Sequence, residues 1–174
     1  MMKTVLAMTN LACEVSEWNT PVVGAFLLWH FSLGYKQHNE MKDCPVVILH
    51  FIAMGILSSC NFLDKISRRR SNLEAFIRSF YESNQSDLLA CLQQRIKSKM
   101  AYTSAAIDIA VSSGLLFWDY DKAILCPTEP PTNTRRGIKI GDEMKKMAYK
   151  AEILGEWFSE HDISSITLYL GVVL

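Results

Sequence analysis

The sequence predicts a mainly α fold with one small β-hairpin, a helical N-terminal half leading into a winged-helix-like C-terminal half, on three observations. Apolar runs of helical length with few turn residues dominate the first half. A helix pair ending near Gly114 then feeds two short apolar segments, "LLFW" and "AILC", around the polar turn "DYDK". A second long amphipathic stretch begins at Asp142. With 174 residues, 49% apolar and 21% charged, the chain suits one compact domain, 1–174, with a substantial core. Its parts are an N-terminal extension (1–18), a helical half (19–82), a winged-helix-like unit (86–127), a Pro-rich loop (128–141) and a C-terminal helix with tail (142–174).

Thr20 before Pro21 is the order of a cap followed by proline in the first helical turn, so "VVGAFLLWHFSLGYKQ" continues as a helix. Val22, Phe26, Trp29 and Leu33 share one stripe, and Val23, Leu27, Phe31 and Tyr35 lie beside it. A helix apolar on most sides is covered on most sides, either as the central helix of the fold or partly as a docking surface. "PVVILHFIAMGIL" follows, and its length favours a second buried helix over a strand. "SSCNFLDKISRRR" reads as a loop. "SNLE", Ser71 to Glu74, is a capping box opening a helix that lays Leu73, Phe76, Ile77, Phe80 and Tyr81 on the core.

Leu88, Leu89, Leu92 and Ile96 mark one amphipathic helix to about Lys97, and a second begins near Thr103 with a small-residue face of Ala106, Ile107, Ala110 and Val111. Gly114 supplies the left-handed residue that ends it. Pro127 to Gly141 reads as a loop or wing extension, because its prolines cannot join a central strand. Met144, Met147, Ala148, Ala151, Leu154, Trp157 and Phe158 then follow a helical period. The tail "DISSITLYLGVVL" reads as a short helix stopped by Gly171, with a terminal strand as the alternative.

Eighteen basic and eighteen acidic side chains cancel, so the chain lacks the overall positive field of a nucleic-acid binder. Cys13, Cys44, Cys60, Cys91 and Cys126 are odd in number and widely spaced, which points to buried thiols in a reducing cytosol rather than to a disulfide framework or a zinc site. The first residues are too weakly apolar for a signal peptide, and the longest apolar stretches fall short of the roughly 18 residues that span a bilayer. A cytoplasmic protein without membrane contact is expected.

No phosphate-binding glycine loop, Gly-x-Ser-x-Gly elbow or His-x-x-x-His pair is present, so no enzyme activity, cofactor or metal is expected. His30 and His50 lie in apolar segments and read as hydrogen-bonded core or interface histidines. Asp119 and Asp121 fall at the hairpin tip, where aspartate caps turns. Two basic clusters, Arg68, Arg69 and Arg70, then Arg135, Arg136 and Lys139, are the candidate nucleic-acid contacts. Yet the would-be recognition helix, "TSAAIDIAVSS", has no Arg, Lys, Asn or Gln to read bases, and its one charge is Asp108. Such a helix suits packing or protein docking. Trp29, Phe31, Tyr35, Trp118, Trp157, Phe158 and Tyr169 are the candidate partner-interface residues.

The order of "GAFLLWHFSLGY", "PVVILHFIAMGIL", "RIKSKMAYTSAAIDIAVSSGLLFW", "KKMAYKAEILGEWFSE" and the final "ITLYLGV" resembles the middle component of bacterial three-component ABC systems, grouped with Lamassu-type anti-phage defence, where the subunit is called LmuC. The resemblance runs from about Thr20 to Val172, and "LGEWF" and the terminal "LGV" are its most specific pieces. The sequence departs from that pattern in its lengthened Met1 to Glu17 start and in ending "GVVL". The resemblance implies a kleisin or winged-helix accessory-like subunit. It would be a non-catalytic adaptor between an SMC-like ABC ATPase and an effector, often a nuclease, and would link DNA sensing to effector release or activation. The alternative reading is a winged-helix DNA-binding transcriptional regulator using the hairpin and Arg135, Arg136 and Lys139 as its wing.

Overall fold

The computed structural model describes residues 20–69, 72–129 and 141–173. In chain order these form helices α1 (Pro21–His38), α2 (Val47–Leu57), α3 (Cys60–Leu63), α4 (Leu73–Glu82), α5 (Ser86–Ala90), α6 (Leu92–Ser98) and α7 (Met100–Ser112). The antiparallel strands β1 (Leu116–Asp119) and β2 (Ile124–Pro127) follow, then α8 (Asp142–Ser159) and α9 (Ile163–Leu170). Among the described residues the architecture is the mainly helical one with one hairpin that the sequence predicts.

Helix α1 is the axle. It opens at Pro21 behind Thr20, and it contributes to two separate cores. Leu27 and Phe31 enter the larger one, with Phe62, Phe76, Phe80, Leu154, Trp157 and Phe158 from the surrounding helices. Ala25, Leu28 and Trp29 enter the smaller one, with Met54, Ala106, Ile107, Ala110, Leu116 and Leu125. A helix between two cores has no polar face to spare, which is why its sequence is apolar almost all round.

Helices α1 and α8 run parallel. Val22, Val23 and Phe26 share a cleft with Gly141 and Met144 at one end, and His38 meets Glu156 at the other. They touch backbone to backbone: a Cβ on Gly34 would lie 2.1 Å from the Glu152 carbonyl oxygen, and one on Gly155 would lie 2.1 Å from that of Phe31. Glycine at both positions is therefore a steric requirement.

Several expectations need correction. The stretch read as a loop after α2 contains the short helix α3. The helix expected from Leu88 to Lys97 breaks at Cys91 into α5 and α6, and α7 starts at Met100, before Thr103. The cap of α4 is Asn72, whose side chain accepts a hydrogen bond from Ala75 N at 3.0 Å, one residue later than the capping box placed it. Ser71 lies outside the described residues. The tail is helical, with Asp162 capping α9 through Ser165 N at 2.8 Å and Gly171 ending it at φ 65°. Leu170 and Val172 are buried, and the Gln93 side-chain amide bonds both the N–H and the carbonyl of Val173, fastening the tail to α6.

The expectation for the cysteines fails most clearly. Cys44 and Cys126 form a disulfide with Cα atoms 5.1 Å apart, whereas Cys60 and Cys91 are exposed free thiols. The partners are 82 residues apart in sequence, so only the tertiary fold brings them together. Cys13 lies outside the described residues.

Candidate functional site

The feature that stands out on the surface is the hairpin. Gly114, at φ 73°, ends α7 and turns the chain into β1, with Leu115 N bonding back to Ala110 O. Asp119 Oδ1 accepts from Asp121 N at 3.1 Å and from Lys122 N at 3.2 Å, so the aspartate at the tip caps the turn. Leu116 pairs with Pro127, Phe117 with Cys126, Trp118 with Leu125 and Asp119 with Ile124.

Alternation along the strands sends Leu116 and Leu125 into the small core and leaves Phe117 62% exposed. Tyr120 is 76% exposed and stacks on half-buried Trp118, with ring centroids 5.0 Å apart and planes 13° from parallel. The hairpin thus presents aromatic surface to solvent.

It is held from behind. Val47 N bonds Ala123 O at 2.9 Å and Leu125 N bonds Pro45 O at 3.0 Å, so the segment at the start of α2 meets β2 in an isolated antiparallel bridge, Val46 to Ile124. The Cys44–Cys126 bond joins the same two segments covalently. At its base the Trp29 indole N–H donates to Thr128 O at 3.1 Å, and the Thr128 hydroxyl donates to Gly114 O at 2.6 Å.

Three cations serve helix ends. The Arg95 guanidinium donates to Ser58 O and Gly55 O at the end of α2, at 3.3 and 3.5 Å. Lys65 Nζ donates to Ser79 O at the end of α4, and Lys150 Nζ to Leu63 O at the end of α3. Each places a positive charge on the negative end of a helix dipole. The exposed positions of α7, Met100, Ala101, Ser104, Asp108 and Ser112, carry no cation. Arg68 is ion-paired with Glu156 and lies over the Tyr149 ring, Arg69 is exposed, and Arg70, Arg135, Arg136 and Lys139 lie outside the described residues.

The candidate interface aromatics divide. Phe31, Trp157 and Phe158 are 0–2% exposed and fill the large core, so as side chains of the folded subunit they are packing residues and not surface. Trp29 is 8% exposed beneath the hairpin, and Tyr35 is half-buried on α1. Burial, with the Asp43 charge adding to it, raises the Tyr35 phenol above its ordinary pKa. Tyr169 is on the surface of α9, its ring edge against His161. Of the set, Trp118 alone belongs to the hairpin. Phe117 and Tyr120 were missed; strict alternation from inward Leu116 would have pointed Phe117 outward.

Both apolar-segment histidines are hydrogen-bonded. His50 is buried, 2.8 Å from Ser32 Oγ through Nε2 and 3.2 Å from Val46 O through Nδ1. Burial pushes its pKa down to about 4 against the opposing pull of the Val46 and Val47 carbonyls, so the ring is neutral. His30 Nδ1 meets Glu152 Oε1 at 2.6 Å across the α1–α8 seam. Among the described residues no group of three or more His, Cys, Asp or Glu converges as a metal site, and no helix is long and apolar enough to cross a membrane.

Fold and surface together define, among the described residues, a mainly helical fold that carries one braced, aromatic-faced hairpin. The chain belongs to the ABC-three component (ABC-3C) system Middle Component 3 family, whose model matches residues 8–174. A middle component of a multi-component system has protein partners. No curated protein and no solved structure matches the chain.

Proposed function

We propose that the chain is a non-catalytic cytoplasmic adaptor of a Lamassu-type anti-phage complex, an LmuC-like subunit that bridges an SMC-like ABC ATPase and an effector nuclease. In that role it couples DNA sensing to release or activation of the effector, and it meets DNA only through the assembled complex. The observation that carries the reading is the hairpin: Phe117 and Tyr120 are mostly exposed on a scaffold fixed by backbone pairing, a disulfide and the Trp29 bond. Exposed aromatics on a rigid support are the composition and preorganisation of a binding hot spot. Family membership supplies the need for partners.

The test is co-purification of the full chain with the other components of its system, as wild type and as the Phe117→Ser, Tyr120→Ser double variant. The variant should fold with an unchanged thermal midpoint yet leave the complex. Retention of the variant in a normal complex, or assembly of the other components without this chain, would sink the reading. The competing regulator reading requires the isolated chain to bind duplex DNA with an affinity that falls steeply with salt.

A further inference from the structure

The structure assigns Cys44 and Cys126 as a site of reversible thiol oxidation by low-molecular-weight disulfides, one that sets how firmly the aromatic hairpin is held against the start of α2. Among the described residues, the hydrogen bonds Val47–Ala123 and Leu125–Pro45 and this one covalent bond join the hairpin to that segment, with Val47 packed against the small core. Both cysteines are half-buried at the surface, so a small disulfide reaches them without unfolding of either core. Cys126 is the cross-strand partner of Phe117, which places the bond beside that exposed ring on the same face of the hairpin. Neither cysteine has another structural duty that demands oxidation: the two cores close without them.

The chemistry balances with a glutathione-type disulfide as oxidant. One protein thiolate attacks the small disulfide, forming a mixed disulfide and expelling one small thiolate; the second protein thiolate then attacks the mixed disulfide and expels the other. The two protein sulfurs together lose two electrons, and the two protons of the protein thiols end on the two small thiols. Oxidation closes a loop between residues 82 apart and pins β2; reduction leaves the two hydrogen bonds of the bridge, which open more readily. The oxidised hairpin is therefore the preorganised one, and it docks its partner more tightly. That last step rests on the docking role proposed above, whereas formation of the bond and the change in hairpin mobility do not.

The experiment uses the full chain carrying Cys13→Ser, Cys60→Ser and Cys91→Ser, equilibrated across graded mixtures of reduced and oxidised glutathione, alkylated and weighed intact. A single transition between dithiol and disulfide is expected within that range. Amide exchange over residues 116–127 should be about tenfold slower in the oxidised form. Capture by the other components of the system should be roughly three- to tenfold stronger for the oxidised form, and a further Cys44→Ser change should hold it at the reduced level in both buffers. A pair that stays reduced in oxidised glutathione, stays bonded in excess reduced glutathione, or leaves hairpin exchange unchanged would overturn the site. Capture that depends on Phe117 and Tyr120 but ignores redox state would overturn the control while leaving the docking role intact. Capture indifferent to those aromatics, with the thiol transition and exchange change as expected, would overturn the docking role alone.

Discussion

The two halves that share α1 are stabilised by different means. The helical body interlocks large rings: Phe62, Phe76, Phe80 and Trp157 lie with neighbouring centroids 5.0–6.4 Å apart, and Phe31 meets Phe158 edge-on at 5.6 Å. The hairpin side has mostly small residues on its helix, Ala106 and Ala110, and depends on backbone pairing, the Trp29–Thr128 bond and a disulfide. A core of interlocked rings resists local opening, whereas a short hairpin whose aromatics face outward gains little from burial. The difference teaches where each kind of aromatic goes: rings on the long helices build the subunit, and rings on the hairpin remain available to a partner.

The sharpest break in this comparison is Gly155→Ala. Its new methyl would sit 2.1 Å from Phe31 O, and since backbone cannot rotate away, α1 and α8 must separate. A loss of at least about 4 kcal/mol is expected, enough to unfold a marginal domain, measured by denaturant titration. Phe76→Ala should cost about 3–4 kcal/mol on the same assay, because it empties the centre of the ring cluster.

Next is pH. His50 titrates near 4 when folded and near 6.5 when unfolded, so between those values the unfolded chain binds the extra proton. Stability is complete above the unfolded value and falls by about 3 kcal/mol as pH drops through the window toward 4. Thermal midpoints from pH 7 to pH 4 should show this slope in the wild type and lose it in His50→Gln.

The hairpin should respond oppositely to the body. Ala123→Gly relieves a left-handed backbone at φ 52° and should add about 1 kcal/mol. Phe117→Ser with Tyr120→Ser should shift stability by no more than about 0.5 kcal/mol, because both side chains already face water. A large loss in that last variant would mean that the hairpin belongs to the core after all.

Much of this was legible in the sequence because it depends on near neighbours. The period of α8, Pro21 at the start of α1, Gly114 and Gly171 at helix ends, and Asp119 in its turn all act over a few residues. Apolar content also announced α1 as a helix covered on most sides. It could not say by what: Trp29, Phe31, Trp157 and Phe158 are equally apolar whether they face a partner or each other.

Sequence alone therefore determined the helical class, the hairpin, and the neutral charge that argues against a general nucleic-acid surface. Tertiary structure decided which aromatics are free, that Arg95, Lys65 and Lys150 serve helix ends, and that Gly34 and Gly155 let two backbones meet. It also decided that Cys44 finds Cys126 across 82 residues. The physical reason is range: period, caps and turns are set within one or two turns of chain, whereas burial, charge pairing and cross-links depend on which distant segment arrives alongside.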